Sequence, residues 1–378
     1  MELAGCRMNR RAESTGCGAG VDRVGGSRFG EILLLLAYVL IFPQAGSSEG
    51  SVNSGTLITR IALGSCADQD KPQPIWEAVV AQSPQLFLFL GDNVYADTAD
   101  MGVMRACYKK LGGIPGYQKL LKTCPVIAVW DDHDYGVNDG GSEFPAKAEA
   151  EKVFHEFFQT PADSPSLHRP GIYDARYFDG GEGKRLQILL LDTRYFRGPL
   201  VAFPEKSTHG PYDRNRDPSA TVLGEDQWKW LGEELKKPAD IRLILSSIQV
   251  LPQDHHWELW ENFPLERQRL LRLLAESKTG PVVFFSGDRH MGEIMKLATT
   301  DPDSPGFPVF EMTTSGLTNA GGGKNGEPNR HRVSPKNFQS RNFGLVEIDW
   351  EALRVTLELR DVDGKVVDRF LADLRAPQ

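Results

Sequence analysis

The sequence predicts an α/β fold in which helices cover both faces of a sheet. Short apolar runs alternate along the chain with segments whose apolar spacing is that of a helix. The runs are almost continuously apolar, which is typical of strands that are buried on both sides. Polar residues repeatedly follow these runs, and ligands of such sheets bind beyond the carboxyl ends of the strands.

The first half of the chain predicts three strands and two helices. The strands are “TLITRIALGSC”, “LFLFLGD” and “PVIAVWDDHD”. The helix “QPIWEAVVAQ” lies between the first two strands, and the helix “PAKAEAEKVFHEFFQ”, with a proline near its start, follows the third.

The second half continues the alternation of strands and helices and then ends in consecutive strands. Strands are expected at “KRLQILLLDTRYF”, “IRLILSS” and “GPVVFFSGDRH”, with helices at “LGEDQWKWLGEELKK” and “PLERQRLLRLLAE”. From residue 308 onwards, four segments predict antiparallel strands, with “DVDG” as a turn: “VFEMTTSG”, “FGLVEIDW”, “ALRVTLEL” and “VVDRFLAD”.

Composition places the chain among folded globular proteins. Of its 378 residues, 40% are hydrophobic and 25% are charged. Its formal net charge of −8 argues against a general nucleic-acid or membrane-surface binder, which would carry a basic face. We therefore expect no sequence-specific nucleic-acid partner.

The N-terminal residues 1–48 are predicted to be a signal or targeting segment. The apolar run at residues 32–42 follows Arg23 and Arg28 and precedes small residues, and it is too short for a comfortable membrane span. An exported protein, periplasmic or secreted, is the expectation. A buried helix and an uncleaved membrane anchor are the alternatives, and the anchor would be the chain's one contact with a membrane.

Three cysteines would remain after removal of that segment. Cys107 and Cys124 either pair across a short loop, for roughly 3 kcal/mol of stability on the chain-entropy model, or stay unpaired and buried. Cys66 would be left over in the first case.

Polar residues at five predicted strand ends suggest a metal site. Taken singly, each is more often a turn residue than a ligand. Together they would place several carboxylates at one sheet edge, where the carboxylates cannot all stay ionised without a cation. The five residues are Cys66, Asp92, Asp132, Asp192 and Asp288.

The types of donor indicate two unlike metals. Carboxylates and an amide suit a hard ion such as Ca²⁺ or Mg²⁺. A thiolate from Cys66, a phenolate from Tyr95 and an imidazole from His290 suit a transition metal, and phenolate favours Fe³⁺. With Asp92 as the bridge, such a pair would clamp phosphoryl oxygens and activate a water.

Five ordered motifs carry a family resemblance. They are “GSC” at 64–66, “GDNVY” at 91–95, “WDDHD” at 130–134, “LDTRYFR” at 191–197 and “SGDRH” at 286–290. In this order they resemble the PhoD family of alkaline phosphatases, within the calcineurin-like metallophosphoesterase superfamily. The resemblance implies one metallophosphatase domain over residues 56–375.

The resemblance further implies a four-layer αββα sandwich of two mixed sheets. Its centre would contain Fe³⁺ and one or two Ca²⁺ ions, with other divalent metals left open, and would hydrolyse phosphate mono- or diesters. Arg194 would grip the phosphate, since a guanidinium can bond two of its oxygens. Iron would be bound by Cys66, Asp92, Tyr95 and His290. Calcium would be bound by Asp92, Asn138 and Asp288.

This sequence departs from the wider superfamily in two motifs. Cys66 replaces a histidine-containing metal motif, and “DDHD” replaces “GNHE”. Asp132 is therefore either a metal ligand or a residue that orients the site. His133 either protonates the leaving group or supports the ligands as a structural partner.

Several other residues leave alternatives open. His255 and His256 either line the substrate entrance or form an exposed loop pair. The glycine-rich stretch 319–332 is interpreted as a loop near the entrance that would supply Lys324 or Arg330 to the substrate.

Two other functions are alternatives to the exported phosphoesterase. A glycosidase with paired carboxylates would not need Cys66, Tyr95 and His290 at matching strand ends. An exported phosphate-ester-binding protein without activity, on the same scaffold, would bind esters without turnover.

Overall fold

The computed structural model describes residues 57–204, 209–321 and 326–375, all within one unit, Ser48–Gln378. The predicted signal segment, residues 1–48, lies outside the described residues. Within the described ranges, no helix is both long enough and apolar enough to cross a membrane.

Fourteen strands and seven α-helices make up the described part of the chain. The strands are β1 (Arg60–Gly64), β2 (Leu86–Leu90), β3 (Val126–Val129), β4 (Asp174–Asp179), β5 (Arg185–Leu190), β6 (Val201–Ala202), β7 (Tyr212–Asp213), β8 (Ile241–Leu245), β9 (Val282–Ser286), β10 (Gly292–Leu297), β11 (Val309–Thr314), β12 (Asn342–Asp349), β13 (Arg354–Asp361) and β14 (Val366–Asp373). The helices are α1 (Ile75–Ala81), α2 (Met101–Gly112), α3 (Pro115–Thr123), α4 (Asp132–Tyr135), α5 (Lys147–Phe158), α6 (Gly224–Leu235) and α7 (Pro264–Glu276).

The long strands form two mixed six-stranded sheets. The first has the order β14-β13-β12-β1-β2-β3, in which β1, β2 and β3 are parallel and β12 pairs antiparallel with β1. The second has the order β10-β11-β9-β8-β5-β4, in which β5, β8, β9 and β11 are parallel. The predicted elements are present, but they divide between two sheets.

Side-chain alternation shows how the layers stack. On β5, Ile188 and Leu190 join the core shared with the first sheet, whereas Leu189 packs with the helices on the outer face. These outer helices are α6 and α7, which contribute Trp228 and Leu270 to the same cluster. Because successive strand residues face opposite sides, each sheet has the other sheet on one face and helices on its other face. This confirms the αββα sandwich.

Two details differ from the sequence prediction. A single sheet edge was expected to carry all five polar strand ends, whereas the edges of two sheets carry them. The segment “VFEMTTSG” was expected to be purely antiparallel, but β11 is parallel to β9 and antiparallel to β10. The prediction also lacked α2, α3, α4, β4, β6, β7 and β10.

The described cysteines are unpaired. Cys107, on α2, and Cys124, after α3, are both buried free thiols. Of the two alternatives for this pair, the structure has the unpaired one, and the cysteines contribute to the apolar core.

Candidate metal centre

The parallel strands of both sheets end at the same place. Ser65, after β1, forms a parallel bridge with Ser315, after β11. A Cβ on Gly287, after β9, would lie 2.6 Å from the Ser65 hydroxyl oxygen. This close approach explains the glycine, and it brings the loops after β1 and β2 next to the loop after β9.

The backbone is strained at four of the predicted ligands. Their φ angles are positive, which is uncommon for residues other than glycine and costs of order 1–3 kcal/mol each. The values are 63° at Cys66, 50° at Asp92, 64° at Asp288 and 53° at His290. Such strain clusters at functional sites because the surrounding fold has to impose it.

The four predicted iron ligands lie together and are here called the ligand cluster: Cys66, Asp92, Tyr95 and His290. The Cys66 thiol donates to Asp92 Oδ2 at 3.3 Å, and the Tyr95 hydroxyl donates to the same oxygen at 3.1 Å. The Tyr95 hydroxyl oxygen also lies 3.0 Å from His290 Nε2. One sulfur, two kinds of oxygen and one nitrogen therefore converge on one point.

Burial raises the pKa values of three members of the ligand cluster. Burial raises the pKa of the Cys66 thiol to about 11 and raises the pKa values of Tyr95 and Asp92 well above their usual ranges. Asp92 Oδ1 is buried with no hydrogen-bond partner among the described residues. A bound metal ion would satisfy that oxygen and favour the ionised forms. The donor set therefore fits a transition metal.

Asp134, in the loop after β3, holds the backbone of the loop that carries Asp92. The backbone N–H of Asp92 donates to Asp134 Oδ1 at 3.1 Å, and Asn93 Nδ2 donates to Asp134 Oδ2 at 2.6 Å. Asp134 is buried. Sequence reasoning missed this role, although Asp134 is the last residue of the quoted “WDDHD” motif.

Asp132 and His133 adjoin the ligand cluster. Candidate ligand atoms of Asp92, Asp132 and His133 lie within 4.8 Å of one another. His133 Nδ1 lies 2.8 Å from Asp97 Oδ1, and the His133 ring stands 4.2 Å from the Tyr95 ring. Although burial opposes its charge, hydrogen bonding to Asp97 and the charge of Asp92 raise the pKa of His133 to about 10.

The predicted calcium ligands do not converge on one point as the predicted iron ligands do. Burial and nearby carboxylates raise the pKa of Asp288 to about 7. Asn138 is exposed, and its amide donates to Asp139 Oδ2 at 2.7 Å. Asp139, rather than Asn138, forms a group with Asp132 and Glu258, whose oxygens lie within 4.8 Å of one another.

Arg194 belongs to a buried set of ion pairs, here called the arginine network: Asp131, Arg194, Arg197 and Glu258. Arg194 Nε donates to Asp131 Oδ1 at 2.5 Å, and its NH1 donates to Glu258 Oε2 at 2.7 Å. The Arg194 side chain is 0% exposed. To grip a phosphate, it would first have to leave two carboxylates.

Asp192 is a structural residue. Its carboxylate accepts from Trp130 Nε1 and from the backbone N–H of Arg194, both at 2.9 Å, and from the backbone N–H groups of Tyr195 and Ile172. With four N–H donors around it, this carboxylate fixes the loop after β5.

Three other marked residues have no assigned place in the ligand cluster. His255 is buried, with Nε2 3.0 Å from Gln249 Oε1, so the alternative of an exposed histidine pair is not formed. Arg330 pairs with Asp254. Lys324 lies outside the described residues.

Comparisons with known proteins identify the family. The PhoD-like phosphatase family model matches residues 103–359, more than half of the chain, and the chain therefore belongs to this family. Alkaline phosphatase D of Bacillus subtilis (strain 168) is 22% identical over 234 residues, covering 56% of this chain and 39% of that protein. The match thus spans about two fifths of the length of this curated relative.

The fold comparison agrees. A solved structure of PhoD superposes with a TM-score of 0.65 at 17% identity, covering 84% of this chain and 69% of that one. The resemblance inferred from the five motifs is confirmed.

Proposed function

We propose that this chain is an exported, metal-dependent phosphoesterase that hydrolyses phosphate mono- or diesters by attack of water or hydroxide. The convergence of Cys66, Asp92, Tyr95 and His290 at the strand ends carries this proposal. Family membership supports the class of reaction. Export rests on the apolar run at residues 32–42.

The ligand cluster would hold Fe³⁺, and Asp92, Asp132 and Asp288 would hold Ca²⁺. Thiolate, phenolate and imidazole donors support the first assignment, and carboxylate oxygens support the second. Asn138 would join the calcium ligands only if its side chain turned away from Asp139. When bound, such a pair of ions supplies Lewis acidity and a water of lowered pKa.

The residues around the cluster would position and protonate the substrate. Asp97 holds Nδ1 of His133, and the Tyr95 ring fixes the plane of the imidazole. The other nitrogen, Nε2, would then donate a proton to the leaving-group oxygen as the ester bond breaks. Asp132 accepts from the backbone N–H groups of His133 and Asp139, at 2.9 and 2.6 Å, and so keeps this loop in place.

The test combines a spectrum with a rate. The purified protein is analysed for bound metal, its visible absorption is recorded before and after a reductant, and hydrolysis of a phosphate monoester and a diester is measured. We expect a visible band that bleaches on reduction, since Fe³⁺ bound by phenolate or thiolate absorbs in this range, and we expect turnover of at least one ester.

Other outcomes would reject either the Fe³⁺ assignment or the enzymatic activity separately. Turnover by metal-loaded protein without a band would retain the phosphoesterase and remove Fe³⁺. Metal-loaded protein that binds a phosphate ester without hydrolysing it would establish the binding-protein alternative and remove the enzyme.

A further inference from the structure

A phosphate ester at the ligand cluster calls for positive charge on the solvent side. Arg194 does not provide it in this structure, because its side chain is fully buried and bonded to Asp131 and Glu258. Arg289, between two predicted ligands, is also buried and pairs with Glu327 at 2.8 Å. Both arginines are therefore buried and paired with carboxylates, and neither is exposed on the solvent side of the cluster.

Lys71 lies in the loop that leads from Cys66 to α1. Its ammonium group donates to Asn319 Oδ1 and lies 3.2 Å from Asp68 Oδ2. Its side chain is 49% exposed. The lysine is therefore held at one end by two partners while it stays accessible to solvent.

The partner of Lys71 is attached to the ligand cluster. The backbone N–H of Asn319 donates to the carbonyl oxygen of Cys66 at 3.3 Å, and the next residue but one, Gly321, donates to the carbonyl oxygen of His290 at 2.9 Å. Asn319 thus ties Lys71 to the backbone of Cys66, and the segment that follows Asn319 contacts the backbone of His290.

We propose that Lys71, held by Asn319, is a substrate-binding residue that contacts a non-bridging phosphoryl oxygen and favours phosphate monoesters over diesters. This inference rests on the proposed function. A monoester dianion carries one more negative charge than the corresponding diester, so a lysine beside the phosphoryl group stabilises the bound monoester more.

The test replaces the charge and compares two substrates with the same leaving group. Lys71→Gln, Lys71→Arg and the parent are assayed with para-nitrophenyl phosphate and bis-para-nitrophenyl phosphate. For Lys71→Gln we expect the monoester KM to rise about tenfold, the diester KM to rise less and kcat to stay nearly unchanged, and we expect Lys71→Arg to retain most of the affinity. Lys110→Gln is the matched control, since Lys110 is an exposed lysine that pairs with Asp70 at 2.7 Å.

Binding of inorganic phosphate to metal-loaded protein, measured by calorimetry, separates this inference from the proposed function. A parent that binds phosphate without hydrolysing either ester, with weaker binding in Lys71→Gln, would remove the function and retain the role of Lys71. Equal phosphate affinity in parent and Lys71→Gln, or an equal change in KM for both esters, would overturn the inference. A parent that neither binds phosphate nor hydrolyses an ester would overturn both.

Discussion

The ligand cluster and the arginine network are both buried, and both lie on loops that follow the parallel strands. They differ in how their carboxylates are compensated. Asp131 and Glu258 each bond an arginine, so the two negative and two positive groups of the network cancel. Asp92 instead accepts from the Cys66 thiol and the Tyr95 hydroxyl, and among the described residues no arginine or lysine forms an ion pair with it.

This difference separates a structural set of charges from a functional one. A buried charge is costly unless it is paired. The arginine network meets that requirement within the protein, so removing one partner should destabilise the fold. We propose that the ligand cluster meets it by binding a metal ion, so removing one ligand should abolish activity and leave the fold in place.

The largest expected effect is on activity. Asp92→Asn removes the oxygen that both Cys66 and Tyr95 approach, and kcat/KM for a phosphate ester should fall by roughly 10³-fold or more. Circular dichroism and the melting temperature of the metal-free variant should match those of the metal-free parent. Asp70→Asn, at an exposed residue, is the control. Parental turnover in Asp92→Asn would show that the site is elsewhere.

The next effect is on stability. Arg194→Met leaves Asp131 and Glu258 buried with one partner fewer, and the free energy of unfolding should fall by about 3–5 kcal/mol. Denaturant unfolding measures this change. The control Arg105→Met breaks an exposed pair with Glu156, for which about 0–1 kcal/mol is expected. Equal losses in the two variants would mean that the arginine network is not a structural unit.

Metal removal should have a smaller effect that depends on the ligand cluster. An ion that binds only the folded state at a hundred times its Kd stabilises by about 2.7 kcal/mol, so a chelator should lower the parental Tm by about 5 °C. Asp92→Asn should show a smaller shift. The same chelator-induced shift in both proteins would place the bound metal outside the cluster.

The smallest expected effect is on the pH dependence of stability, and it concerns a carboxyl group outside both the ligand cluster and the arginine network. Glu311, on β11, accepts from the Ser286 hydroxyl and the Leu251 backbone N–H, each at 2.7 Å, and burial raises its pKa from 4.5 to about 7.

Because the folded pKa of Glu311 is the higher one, its contribution to stability is fully present below the unfolded value and is lost as the pH rises through about 7. Unfolding free energies should therefore fall by about 1 kcal/mol per pH unit in that window, and less steeply in Glu311→Gln. An identical pH profile for the variant would contradict this assignment.

The sequence predicted the ligand cluster better than its surroundings. Cys66, Asp92, Tyr95 and His290 all lie in ordered motifs that follow apolar strands, and the family resemblance carried by these motifs assigns the four residues to iron. Glu258, a partner of Arg194, was missed because it lies in a long loop between β8 and α7 and has no motif of its own, whereas the other partner, Asp131, lies within “WDDHD”. Burial of Arg194 and exposure of Asn138 depend on tertiary packing, which residue type does not reveal.

The pattern of apolar runs also does not predict that the strands divide between two sheets. Strands of both sheets are buried on both faces, so their sequences look alike. Which strands pair depends on contacts between distant parts of the chain, as between β1 and β12, where Arg60 lies opposite Glu347. The family resemblance supplied the two-sheet sandwich that periodicity could not.

The meeting of two sheets at one centre has a consequence for native-state dynamics. Cys66 and Asp92 follow strands of the first sheet, and His290 follows a strand of the second. A metal held by all three would act as a cross-link between the sheets, so a fluctuation that separates them would require its release. Amide hydrogen exchange in β2 and β9 should therefore slow together when metal binds, as one cooperative unit.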